Sequence, residues 1–232
     1  MMLKQKIMTL LSWVKNNPYD VLLYIQLICG TIFCVSQGWH MYEKTTQGVN
    51  VSWFVSWEVF LGLNIWLAND AYRAQPSEGT KRTFKIYLWW MVMITINTVL
   101  MFYLGGVATW DQYDTLTMKL VAIGAVMAIG YGLSQSLGLL GSIKDPIIRG
   151  VLALVFKAVP QFILAYKMYQ IDGSGLALLT VVNGHITVLT RIGQLVLTIR
   201  ESGWDRNCVG SAISEVGNEL SWAIVTLVWI LR

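Results

Sequence analysis

With 232 residues, 55% hydrophobic and only 13% charged, and a mean hydropathy of +0.55, the chain lacks the polar side chains that coat a water-facing domain. Such domains carry roughly a quarter charged residues, so lipid is expected to replace the missing coat, leaving no length for a separate nucleotide-binding or catalytic module. The net charge of +4 is spread over connections rather than gathered with aromatics on one basic face, which excludes a nucleic-acid partner.

In chain order, residues 1–20 place Lys4, Lys6 and Lys15 around the apolar run Ile7-Met8-Thr9-Leu10-Leu11-Ser12-Trp13-Val14. This run is too short to span and no small-residue cleavage site follows it, so the segment is expected to lie as a helix in the membrane interface. Apolar runs follow at about 21–41, 51–69, 86–105, 117–140, 147–168, 174–196 and 210–231. Each approaches the roughly 20 residues a helical span needs. A barrel would instead show weakly alternating segments of about ten residues. Polar breaks separate the runs: Glu43 to Gly48, Asp70 to Lys85, Trp110 to Asp114, Ser142 to Pro146, Gln170 to Gly175 and Arg200 to Asn207. The expected fold is therefore an all-α integral membrane protein with seven transmembrane helices.

Lys and Arg are unevenly divided between the two sides. The N-terminal tail and the second, fourth and sixth connections hold Lys4, Lys6, Lys15, Arg73, Lys81, Arg82, Lys85, Lys144, Arg149, Arg200 and Arg206; the other side holds Lys44, Lys119, Lys167 and Arg232. The positive-inside rule then puts the N-terminus in the cytoplasm and the C-terminus outside.

Several polar residues fall inside the apolar runs. In the sixth run, Asn183, Thr187, Thr190, Arg191, Gln194 and Thr198 share one helical face, which must meet protein or a watery path. Arg191 is a candidate anchor for a solute carboxylate or phosphate, or else a snorkelling residue near the surface. Glu58, Glu215 and Glu219 are candidate proton-coupling groups, since desolvation favours a neutral carboxyl. The alternative for the last two is an ion pair with Arg191 or Lys157. Trp57 and Trp222 are candidate solute-stacking rings among eleven tryptophans. Pro160 lacks an N–H and crowds the preceding turn, so it can bend its helix. The glycines of the fourth run suit close packing against the bundle or a second protomer, a homo-oligomer. Cys29, Cys34 and Cys208 form no even framework and are expected to be packed thiols. His40 and His185 are isolated, so no metal and no cofactor are expected.

The first and fifth runs repeat a pattern. Gln37 and Gln161 are each followed five residues on by a tyrosine, Tyr42 and Tyr166, then by a basic residue and a glycine-containing turn. Runs one to three and five to seven form two three-helix units with the fourth between them (3+1+3). The segments are then 1–20 (interfacial), 21–105 (first repeat), 106–141 (linker helix) and 142–232 (second repeat). With Pro160-Gln161 as full signature and Ser36-Gln37 as its departure, the chain resembles the PQ-loop family, which includes the SWEET-type sugar carriers and lysosomal amino-acid exporters. The resemblance implies hinge roles for Pro160 and Gln161, and for Gln37 with Gly38 softening the first repeat. It implies sugar-binding amides at Asn97 and Asn218, with Asn183 nearby on the polar stripe, and it implies an N-terminus outside, opposite to the charge bias. The function expected is alternating-access transport of a small polar solute, a sugar or an amino acid, with proton coupling through the glutamates. A receptor or adaptor of the same fold, binding a ligand without moving it, is the alternative. No nucleophile with a base and no phosphate loop is visible, so an enzyme is not expected.

Overall fold

The structure, a computed structural model, describes Gln5 and residues 12–105, 109–171 and 175–232. Half of the expected interfacial segment, 1–4 and 6–11, lies outside the described residues, and 12–16 are helical. The described residues form helices and no strands: α1 (Pro18–Glu43), α2 (Val51–Ala74), α3 (Glu78–Gly105), α4 (Gln112–Ser134), a short α5 (Gly138–Lys144), α6 (Pro146–Gln170), α7 (Leu178–Ser202) and α8 (Arg206–Leu231). At 1.5 Å per residue the long helices are about 35–42 Å long, enough to cross a bilayer.

Five of them, α1 to α4 and α6, are both long and apolar enough to cross a membrane. The last two, α7 and α8, have the length, at 25 and 26 residues, without the apolarity. Their polar side chains lower the mean, and much of that polar set is turned inward: Asn183, Thr187, Thr190, Ser214, Glu215, Asn218 and Ser221 are all buried.

The helix ends follow local chemistry. Pro18 and Pro146 occupy the first turns of α1 and α6, where a missing N–H costs nothing. The Asp145 carboxylate caps α6 by accepting from the N–H groups of Ile147 and Ile148. Asp111 and Asp114 form a reciprocal capping box on α4. The apolar run expected to reach residue 140 stops as a helix at Ser134, because Ser136 adopts φ 59° before α5 begins. The expected linker boundary at 141 thus falls inside α5.

Within the first three helices, α3 packs on both α1 and α2; within the last three, α8 packs on both α6 and α7. Across the middle, α1 meets α7 and α2 meets α6, while α4 lies on α6 and α2. The closest approach is between α6 and α8. A Cβ on Gly150 would strike the backbone of Gly210, and one on Gly210 would strike the carbonyl of Pro146, so only glycine allows this contact. Burial is inverted relative to a water-soluble protein. Ile28, Val35, Val99, Val126 and Leu220 face outward, whereas Gln37, Asn97, Lys157, Gln161 and Asn218 are buried.

Candidate functional site

The two sets of three helices enclose a central cavity of about 40 Å³. One wall is aromatic. Phe33 from α1, Trp53 and Trp57 from α2, Trp90 from α3 and Trp222 from α8 form a continuous cluster with centroid separations of 5.4–6.1 Å. Trp222 is held by its indole N–H, which donates to the carbonyl of Val181 at 3.1 Å. It fits because Gly184 faces it across α7, where any Cβ would overlap the indole. Trp57 and Trp222 thus both line the cavity, joined by Phe33, Trp53 and Trp90.

The other wall is polar. Arg191 Nη2 donates to Glu215 Oε1 at 2.7 Å, and Lys157 Nζ lies 3.4 Å from the same oxygen. Ser214 Oγ donates to it at 3.0 Å. Lys157 also stands 5.1 Å from the Phe60 ring centroid, a cation–π distance. Glu215 Oε2 is buried with no hydrogen-bond partner among the described residues. Next along the wall, Gln161 Nε2 donates to Asn218 Oδ1 at 3.0 Å, while Ser221 donates to Gln161 Oε1.

Beside the cavity, and sharing Phe60, Tyr87 and Arg191 with it, lies a vestibule of about 240 Å³ lined also by Asn64, Arg149, Ser211 and Glu215. A further pocket of about 450 Å³ runs from Arg191 and Glu215 past Gln194 and Thr198 to Asp205. Both lie toward the end of the molecule that carries the second, fourth and sixth connections. Ion pairs staple that end: Arg82 with Asp20, Lys144 with Asp70, and Arg206 with Asp145. Burial raises the Asp145 carboxyl, but the Ile148 and Ile147 N–H groups and the Arg206 guanidinium outweigh it and hold the group below its ordinary value.

The opposite end is closed by hydrogen bonds between the two sets of helices. Gln37 Nε2 donates to the Gly175 carbonyl at 2.7 Å, and Gln37 Oε1 accepts from the Ala177 N–H at 3.2 Å. Lys167 Nζ reaches the Val49 carbonyl and Asp111 Oδ2, at 2.8 and 2.7 Å. Within the second set, Trp229 on α8 donates to the Leu176 carbonyl at 3.0 Å and steadies the connection that Gln37 holds. Burial pushes Asp111 up, yet the hydrogen bonds from Lys167 and the Asp114 N–H bring it below the ordinary carboxylate value.

The sequence-derived residues therefore separate. Arg191, Asn218, Gln161, Trp57 and Trp222 line the central cavity, and Glu215 joins them through Arg191 and Lys157. Asn97 does not share that cavity with Asn218. Its amide nitrogen donates to the Cys34 carbonyl at 3.2 Å, and Gly38 makes the room for it on α1. Asn183 is turned back on its own helix, donating to the Leu179 carbonyl at 2.8 Å. Glu58 accepts from Thr98 at 2.9 Å between α2 and α3. Glu219 pairs with His185 at 2.6 Å, and the far nitrogen of that ring contacts Thr226 at 2.8 Å. Pro160 sits buried within an unbroken α6. Lys157 entered the sequence analysis only as an ion-pair partner, although a lone lysine within an apolar run is itself a site signal. Lys167, at the end of the fifth run, was read only as the basic residue of the repeat pattern, and Asp111 only as part of a polar break. Among the described residues no three His, Cys, Asp or Glu side chains converge as a metal site would require.

No protein-family model, curated protein or solved structure matches this chain.

Proposed function

We propose that the chain is a seven-span membrane carrier that moves a small polar solute by alternating access. In this reading α1–α3 and α6–α8 are repeated units joined by α4. Its support is the matching neighbour order within each triplet and the reciprocal pairing of α1 with α7 and α2 with α6. A two-fold relation of this kind places a solute site between the halves.

The observation that carries the proposal is the asymmetry of access to the central cavity. Toward one end polar, charged vestibules share Arg191 with its lining. Toward the other the two sets are held together by Gln37 and Lys167 through hydrogen bonds to backbone carbonyls in the connections. A route sealed at one end and open at the other is one half of an alternating-access cycle. By the charge bias, the open end is cytoplasmic. Pro160 weakens α6 two turns from its C-terminal Lys167 contact, because its missing N–H leaves the carbonyl of Phe156 without its helical donor; bending there would break the seal.

Uptake by purified protein in liposomes tests the proposal, using labelled sugars, amino acids and small carboxylates. Saturable flux of one class is expected, reduced at least about tenfold by Arg191→Gln and unchanged within about twofold by Asn97→Ala. Absence of flux across the whole panel, from protein that remains folded, would move the chain to the binding-only receptor reading.

A further inference from the structure

Cations outnumber carboxylates along the route into the cavity. Lys157 and Arg191 both bear on Glu215, and Arg149 stands in the vestibule with its guanidinium on Asn64 Oδ1 at 3.4 Å. The other acid on the route, Asp205, lies at the outer rim of the further pocket and is engaged with the Cys208 N–H at 2.7 Å. One inner carboxylate is thus held by two cations, and a third, Arg149, lines the same vestibule without a carboxylate of its own among the contacts described. Lys157 is 2% exposed, and a buried cation without full compensation is costly. The site favours an occupant that brings negative charge.

The amides a sugar would use are already engaged with each other. Gln161 joins Asn218 and Ser221, so hydroxyl groups entering the cavity would have to break that chain. Arg191 has Nη2 on Glu215, yet its side chain is 23% exposed, and it lines both the cavity, with Trp57, Trp90 and Trp222, and the vestibule. Arginine forks match a carboxylate, and aromatic walls favour a flat apolar body. We propose that the solute is a small monocarboxylate with a flat apolar body and no amine. Its head group sits at Arg191, and its ring lies in the vestibule of about 240 Å³ against Phe60 and Tyr87, at the edge of the aromatic wall. A zwitterion is disfavoured because its ammonium group would lie beside Arg191 and Arg149, with Glu215 already held by Arg191 and Lys157. Transport of this solute rests on the carrier reading above; its binding does not.

Isothermal titration of the full-length protein in detergent, with protein-free micelles as reference, tests the inference. The panel is benzoate, acetate, benzyl alcohol, phenylalanine and glucose. Benzoate is expected to bind at least about tenfold more tightly than each of the others, consistent with a charged hydrogen bond plus ring burial. Arg191→Gln should weaken benzoate by about tenfold or more, whereas Glu215→Gln, which removes the opposing carboxylate, should tighten it severalfold. Opposite signs from two touching residues would not arise from general damage to the fold. The inference is overturned if phenylalanine or glucose binds as tightly as benzoate, or if benzyl alcohol does, and this wild-type comparison requires no variant to fold. Benzoate binding without benzoate flux in liposomes would keep the anion site and sink the carrier reading. Glucose flux without benzoate binding would do the reverse.

Discussion

At the scale of single residues, the buried amides show what sequence conveys and what it does not. Asn97 and Asn218 lie at similar depth in corresponding runs, and that much was legible. Which way each side chain faces was not, because Thr95 and Thr98 lie near Asn97, and Glu215, Glu219 and Ser221 near Asn218, so polar residues fall on more than one face and periodicity cannot fix rotation about the helix axis. The structure turns Asn218 toward Gln161 and Asn97 toward α1. Gln37 and Gln161 share a sequence pattern but perform different tasks, one holding a connection and the other holding α8 beside the cavity. Replacing Gln161 by Leu removes partners from both Asn218 and Ser221 within a buried wall. A loss of about 1–3 kcal/mol in unfolding free energy is expected, measured by thermal or denaturant unfolding in detergent. A change below about 0.5 kcal/mol would mean that these hydrogen bonds are replaced by water.

At the scale of elements, all seven long helices were legible as runs, and most boundaries fell within a few residues. The error at residues 134–140 came from treating Ser134-Gln135-Ser136 as helix interior, when serine hydroxyls there compete for backbone groups. Ser134 Oγ indeed donates to the Tyr131 carbonyl at 2.7 Å. The polar content of α7 and α8 was visible too, as the stripe from Asn183 to Thr198 and the pair Glu215 and Glu219. It is this content that makes them less apolar than a lipid-bathed helix. The start of α6 gives a pH prediction. The folded-state carboxyl of Asp145 lies below its ordinary value, so its cap and its pairing with Arg206 stabilise the protein above the unfolded value of about 4 and are lost as pH falls through the folded value. Asp145→Asn keeps a cap of similar quality and removes the charge, so it should cost about 0.3–1 kcal/mol at neutral pH, with the gap to wild type closing below about pH 4. A gap independent of pH would show that the carboxylate charge contributes nothing there.

At the scale of the whole molecule, the sequence pointed to an inward-facing polar set but not to the asymmetry between the two ends. The seal depends on contacts far apart in sequence, such as Lys167 with Val49 and Asp111 and Gln37 with Gly175; Gln37 stood out in its run, but nothing in the chain names these partners. The account makes this seal the part that opens. Replacing Lys167 by Met removes its contacts to Asp111 and Val49 while keeping much of its apolar stem, and should raise the population of molecules open at that end. The decisive measurement is a single cysteine at Thr187, on the wall of the central cavity, in a protein whose Cys29, Cys34 and Cys208 are replaced. It would be labelled with a membrane-impermeant reagent added to one side of sealed vesicles at a time. Alternating access predicts labelling from both sides, faster from the vestibule side, with the slower rate increased at least about threefold by Lys167→Met. Labelling from the vestibule side alone, unaffected by Lys167→Met, would contradict the account and leave a one-sided binding pocket.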